Sequence, residues 1–247
     1  MTRLILIPGL AADAAMWQAQ LSALPAKWNA AVTDVHMRHD TIPAMAQALL
    51  GEHAGSLVLC GASMGGMIAM EAVRQRPDRI RGLALLGTNP QPENDAMRAL
   101  REAAIALFAQ DRVAEVIEPN VAFAFHPDNA PALAPAYLEF VLRAGASQLI
   151  RQNRAVIGRP DARTHLREVR CPTLVMCGDT DRLTPPECSH EISSLVAGAQ
   201  LVMVRNCGHM LTMEQPDIVN ATLIAWLGTL DGSAQPRVCP GTDFTPG

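Results

Sequence analysis

Ser63 stands in Gly61-Ala62-Ser63-Met64-Gly65, a G-x-S-x-G pattern between the apolar run LVLCG at 57–61 and a helix-forming stretch at 65–76. In a strand-to-helix setting this pattern puts serine on a sharp turn with its Oγ projecting from the sheet edge. A hydroxyl is a poor nucleophile until a base removes its proton, and that base needs a partner to fix its tautomer. Two later segments offer those groups. CGDTDRLTPP (177–186) carries Asp179 and Asp181, and NCGHMLTMEQP (206–216) carries His209. Parallel strands would bring both loops out at the same sheet edge as the serine turn, in the chain order Ser63, Asp181, His209. The chemistry implied is acyl transfer through a serine ester.

The elements that must position these residues are short apolar runs at 4–8, 30–35, 57–61, 82–87, 173–178 and 200–204. They are continuous rather than alternating, as strands covered on both faces require. Helical stretches at 14–24, 43–54, 65–76, 186–197 and 214–228 lie between most of them. This alternation predicts an α/β fold with a mainly parallel sheet of about six strands and helices on both faces. One connection breaks the rhythm: about 85 residues separate the run ending near Leu86 from the one starting at Thr173, far more than a compact connection needs. Because that interval is itself helix-forming, it is expected to insert a helical cap over 91–158, with the core made of 1–90 and 159–230. Residues 231–247 are rich in Gly and Pro without periodicity, and a flexible C-terminal tail is expected there.

The early strand with Pro8-Gly9-Leu10, the elbow at Ser63, the acid loop and the Gly208-His209 pair together resemble the α/β-hydrolase superfamily, over nearly all of residues 1–230. The resemblance implies Ser63, Asp181 and His209 as a catalytic triad; Asp181 aligns with the family's acid and Asp179 is the alternative. It implies the backbone N–H groups of Leu10 and Met64 as the oxyanion hole. Pro8 replaces the histidine with which the family usually begins this loop, which bears on how the loop is oriented. The sheet is expected without the pair of strands that precedes this one in many relatives.

The 247-residue chain has a net charge of -4, 4% aromatic residues and no basic run, so neither a phosphate-gripping surface nor a base-stacking platform is expected and nucleic acid is excluded as a partner. No membrane span or signal peptide is expected, and the location expected is cytoplasmic. The six cysteines lack metal-like spacing and read as reduced thiols. His36 and His39, flanked by Asp34 and Asp40, could coordinate a metal, but a loop after the second strand accounts for them equally; no metal and no cofactor is assigned. Arg143, Arg151 and Arg154 fall in the inserted interval. Arg151 and Arg154, three apart on one helical face, are the candidates for binding an anionic substrate group, with solvated side chains as the alternative.

The function expected is hydrolysis of a small carboxylic ester or lactone, a small-molecule partner, through an acyl-enzyme. Alternatives on the same fold are carbon–carbon bond hydrolysis, thioester cleavage and cofactor-free perhydrolase or haloperoxidase-like chemistry; a different class is a small-ligand receptor that keeps the triad. By the same resemblance, dehalogenase and epoxide-hydrolase chemistry is excluded because those relatives have Asp where this chain has Ser63. The hydroxynitrile lyase relatives depend on a lysine near the site, and Lys27, the only lysine, falls in a surface-like connection.

Overall fold

A computed structural model describes residues 2–230, so the expected tail at 231–247 lies outside the described residues. Six strands form one sheet: β1 (Arg3–Ile7), β2 (Ala31–Val32), β3 (Leu57–Ala62), β4 (Ile80–Leu86), β5 (Thr173–Gly178) and β6 (Gln200–Val204), in the order β2-β1-β3-β4-β5-β6. Every neighbouring pair is parallel. All six carboxyl ends therefore open on one edge.

The helices are α1 (Gln18–Ala23), α2 (Val35–Arg38), α3 (Ile42–Glu52), α4 (Met64–Gln75), α5 (Asp95–Phe108), α6 (Val113–Ile117), α7 (Ala130–Ile157), α8 (Arg163–Leu166), α9 (Pro186–Leu195), α10 (Leu211–Glu214) and α11 (Pro216–Leu230). Alternate residues of each strand point to opposite faces, and both faces are apolar. Ile5, Ile7, Leu57, Leu59, Leu83 and Leu85 pack with α3 and α4 residues such as Met45, Leu49 and Ile68. Leu4, Leu6, Val58, Cys60 and Leu86 pack on the other face with Trp17, Leu223 and Trp226. Phe108, Phe125, Phe140 and Leu149, from the segment between β4 and β5, join this second cluster.

That segment is helical, as its periodicity implies. α5 starts where the Asn94 side chain accepts a hydrogen bond from Met97 N–H at 2.9 Å, satisfying one of the amides a helix start leaves open. α7 kinks at Gly145, whose φ of 71° with ψ of 167° lies in a region open essentially to glycine alone.

Two local expectations need correction. The second strand was expected over 30–35, but only Ala31 and Val32 pair with β1, and Asp34 instead precedes the helical turn α2, where its carboxylate holds Arg38 at 2.8 Å. The helix expected over 214–228 is shifted by two residues: α11 begins at Pro216, whose missing N–H suits a first helical turn, and runs to Leu230, while Glu214 ends the short α10 before it.

Candidate active site

Ser63 occupies the single residue between β3 and α4, with φ 54° and ψ −120°. Such angles cost a non-glycine residue about 1–3 kcal/mol, so its surroundings must hold it. Its N–H donates to Leu86 O at 2.9 Å and its carbonyl accepts the Thr88 hydroxyl at 2.7 Å, which fastens the turn to the end of β4. Gly61 and Gly65 allow the approach. A Cβ on Gly65 would run into the Ile7 carbonyl of β1, and one on Gly61 into the Gly65 carbonyl. Gly9 brings the loop after β1 against the serine; a Cβ there would lie 3.2 Å from Ser63 Cβ. Leu10 follows in that loop, and Met64 opens α4 with an amide that has no intrahelical acceptor. Of the two predicted oxyanion residues, Met64 follows Ser63 directly in the chain and Leu10 follows Gly9, the residue that packs against the serine.

The acid and the histidine meet at the neighbouring strand ends. Asp181 Oδ2 lies 2.9 Å from His209 Nδ1. Both side chains are buried. The carboxylate also accepts the Leu183 and Thr184 amides, each at 2.9 Å, and the Thr184 hydroxyl at 2.8 Å. With Nδ1–H aimed at Asp181, the imidazole presents Nε2 as its basic nitrogen. Burial pushes the Asp181 carboxyl up, but the charge and hydrogen bond of His209 and the Thr184 bonds outweigh it and hold the group below its ordinary value. Burial pulls His209 down, and the charge and hydrogen bond of Asp181, with the charge of Glu214, more than offset that; its net shift is upward. Gly87, at the end of β4, packs beside both: a Cβ there would lie 3.2 Å from Asp181 Oδ2 and 3.4 Å from His209 Nδ1. Asp179 has a different task. Its oxygens accept the Asn206 and Cys207 amides at 3.2 Å, bracing the loop that carries His209.

Three residues not singled out in the sequence complete the surroundings. Glu214 accepts the Gly208 amide at 2.9 Å through one oxygen, and the His126 amide at 2.7 Å and the Asn129 side chain at 2.9 Å through the other. Thr184 orients Asp181. Gln152 reaches the loop after β1, accepting Ala11 N–H at 2.8 Å. The signal for Gln152 was present: Leu149, Gln152, Asn153 and Val156 recur at helical spacing and are all buried, so a polar pair sits in an apolar stripe.

The segment between β4 and β5 touches the histidine directly, since Ala124 O accepts the amides of His209 and Met210 at 2.9 and 3.2 Å. The same segment forms most of a cavity of about 640 Å³ whose lining includes Val121, Phe123, Phe125, Pro131, Leu138 and Arg182, and none of Ser63, Asp181 or His209. Arg182, the residue after Asp181, is its one charged wall and stacks over the Phe123 ring at 5.8 Å.

The other candidates lie elsewhere. Arg151 donates to Met37 O and faces Asp40 at 3.7 Å, and Arg154 is exposed; with Asp40, Ser147 and Ile150 they line a separate surface depression. Arg143 lies 3.5 Å from Asp13. His36 Nε2 lies 2.8 Å from Ala12 O. Among the described residues no helix is long and apolar enough to cross a membrane.

Comparison with known proteins agrees with this architecture. RutD of Serratia proteamaculans, provisionally named a carbamate hydrolase, is 24% identical over 255 residues, covering 96% of this chain and 94% of its own. The pimeloyl-[acyl-carrier protein] methyl ester esterase of Neisseria meningitidis serogroup B is 24% identical, covering 84% of this chain and 85% of its own. The structure of a thermophilic esterase from Thermogutta terrifontis superposes with a TM-score of 0.84 at 26% identity, covering 93% of this chain and 90% of that one. The family model for alpha/beta hydrolases matches residues 4–222. By that match and by its six parallel strands, the chain belongs to the alpha/beta hydrolase family.

Proposed function

We propose that the protein hydrolyses a small carboxylic ester or lactone through an acyl-enzyme formed on Ser63. His209 Nε2 takes the hydroxyl proton as Oγ attacks the carbonyl carbon, and the oxygen charge that develops is met by the N–H groups of Leu10 and Met64. Each such donor contributes about 3–4 kcal/mol to the transition state. The imidazolium formed is stabilised by Asp181 and returns its proton to the departing alkoxide. Water, deprotonated by His209, then attacks the acyl carbon and frees the acid and Ser63. The residues in these roles need no cofactor.

The observation that carries this reading is the buried Asp181–His209 pair at 2.9 Å, on the same sheet edge as the strained turn at Ser63. The relatives named for methyl ester and carbamate hydrolysis are consistent with acyl transfer. The apolar cavity beside Arg182 favours a substrate with an apolar acyl or alkyl part. We place the reaction in the cytoplasm, where the five described cysteines, all free thiols, stay reduced. The inserted helices act as a cap that selects the substrate.

The test is turnover of p-nitrophenyl acetate to octanoate and of simple lactones. Hydrolysis that is abolished in Ser63→Ala supports the reading, whereas saturable binding of these compounds without turnover would make the protein a ligand receptor.

A further inference from the structure

The loop that carries Leu10 is held in a conformation its own residues do not favour. Ala12 N–H donates to Gly9 O at 3.3 Å, closing a four-residue turn, and within it Ala11 has a φ of 61°, in the left-handed region that a residue with a Cβ avoids. Pro8, which has no N–H to donate, precedes the turn, and the turn's side-chain support comes from elsewhere in the chain.

It comes from a closed ring of three hydrogen bonds. Ala11 N–H donates to Gln152 Oε1 at 2.8 Å, Gln152 Nε2 donates to the His36 carbonyl at 3.0 Å, and His36 Nε2 donates to Ala12 O at 2.8 Å. Gln152 and His36 are fully buried. Burial holds the His36 imidazole below its ordinary value, and the neutral ring with its proton on Nε2 leaves a bare Nδ1 where the structure provides no partner. The neighbouring Arg151 donates to Met37 O, so two successive residues of α7 grip α2.

We propose that Gln152 is a positioning residue for catalysis: from the last turns of the inserted helix α7 it fixes the Ala11 peptide, and through it the direction in which the adjacent Leu10 N–H faces the oxyanion. The inserted segment then contributes to transition-state geometry as well as to the substrate pocket. This rests on the ester-hydrolase reading, because the oxyanion is that of an acyl-transfer intermediate.

The test compares the unsubstituted protein with Gln152→Met, which has similar volume and neither hydrogen-bonding atom, and Gln152→Glu, which keeps an acceptor for Ala11 N–H. Thermal unfolding confirms that each variant is folded. The expected result for Gln152→Met is a fall in kcat of about 10- to 100-fold with KM within about twofold. The affinity for a boronic acid that forms a tetrahedral adduct on Ser63 should fall by the same factor, Gln152→Glu should lie between, and the Ala11 amide should exchange faster in Gln152→Met. A folded Gln152→Met with kcat and boronate affinity unchanged overturns the proposal, as does a loss confined to thermal stability. If the unsubstituted protein turns over no ester while the Ala11 amide still responds, the ester-hydrolase reading fails and the catalytic role of the ring falls with it, leaving a structural clamp.

Discussion

At the scale of single residues, the two aspartates of CGDTDRLTPP separate cleanly. Asp181 faces the imidazole, while Asp179 faces the amides of the following loop. Asp181→Asn should therefore lower kcat by about 10⁴, as the corresponding change does in serine proteases; Asp179→Asn should cost far less and act through stability, and ester turnover with thermal unfolding distinguishes the two. The pH profile follows from the raised His209. Its imidazole must be neutral to act as a base, so kcat/KM should rise with pH through a midpoint above the ordinary value of 6.5, and Asp181→Asn should move that midpoint down. The same shift has the opposite sign for stability: the charged pair stabilises the fold below about pH 6.5, and its contribution is lost as pH rises through the raised value. A profile with its midpoint below 6.5 would contradict this electrostatic account.

At the scale of elements, the site is an outcome of parallel strands ending on one edge. The strand runs were legible because both faces of the sheet are covered, which leaves unbroken apolar sequence such as LVLCG and TLVMCG. The turn at Ser63 was legible because its glycines are dictated by contact with backbone. Gly65→Ala should destabilise the protein by several kcal/mol or prevent folding, since the added methyl meets the Ile7 carbonyl rather than a movable side chain; a variant with near-normal thermal unfolding would contradict the packing described. What stayed hidden is contact between distant segments. His36 and Gln152 are 116 residues apart, and nothing local in HMRHD indicates a helical turn there rather than the loop expected after the second strand. Nothing in NCGHMLTMEQP signals the role of Glu214, because its partners His126 and Asn129 come from the segment between β4 and β5.

At the scale of the whole molecule, the residues proposed for the chemistry stand at the sheet edge, and the segment between β4 and β5 is tied to their loops, by Ala124 to the His209 loop and by Gln152 to the loop after β1. Selectivity and catalysis should then be separable. Phe123 is 46% exposed at the cavity and holds Arg182 by its ring, so Phe123→Ala should raise KM for hexanoyl and octanoyl esters several-fold while kcat for the acetyl ester stays within about twofold, the pattern of lost uniform binding. Equal losses for all esters would instead make Phe123 part of the support of the histidine loop. Beneath both stands the identity of the nucleophile. Treatment with a fluorophosphonate probe, followed by intact mass and peptide mapping, measures it directly. The account predicts one adduct per chain, on Ser63, that is absent in Ser63→Ala and slowed in Asp181→Asn; an adduct on another residue, or undiminished ester turnover by Ser63→Ala, would contradict it.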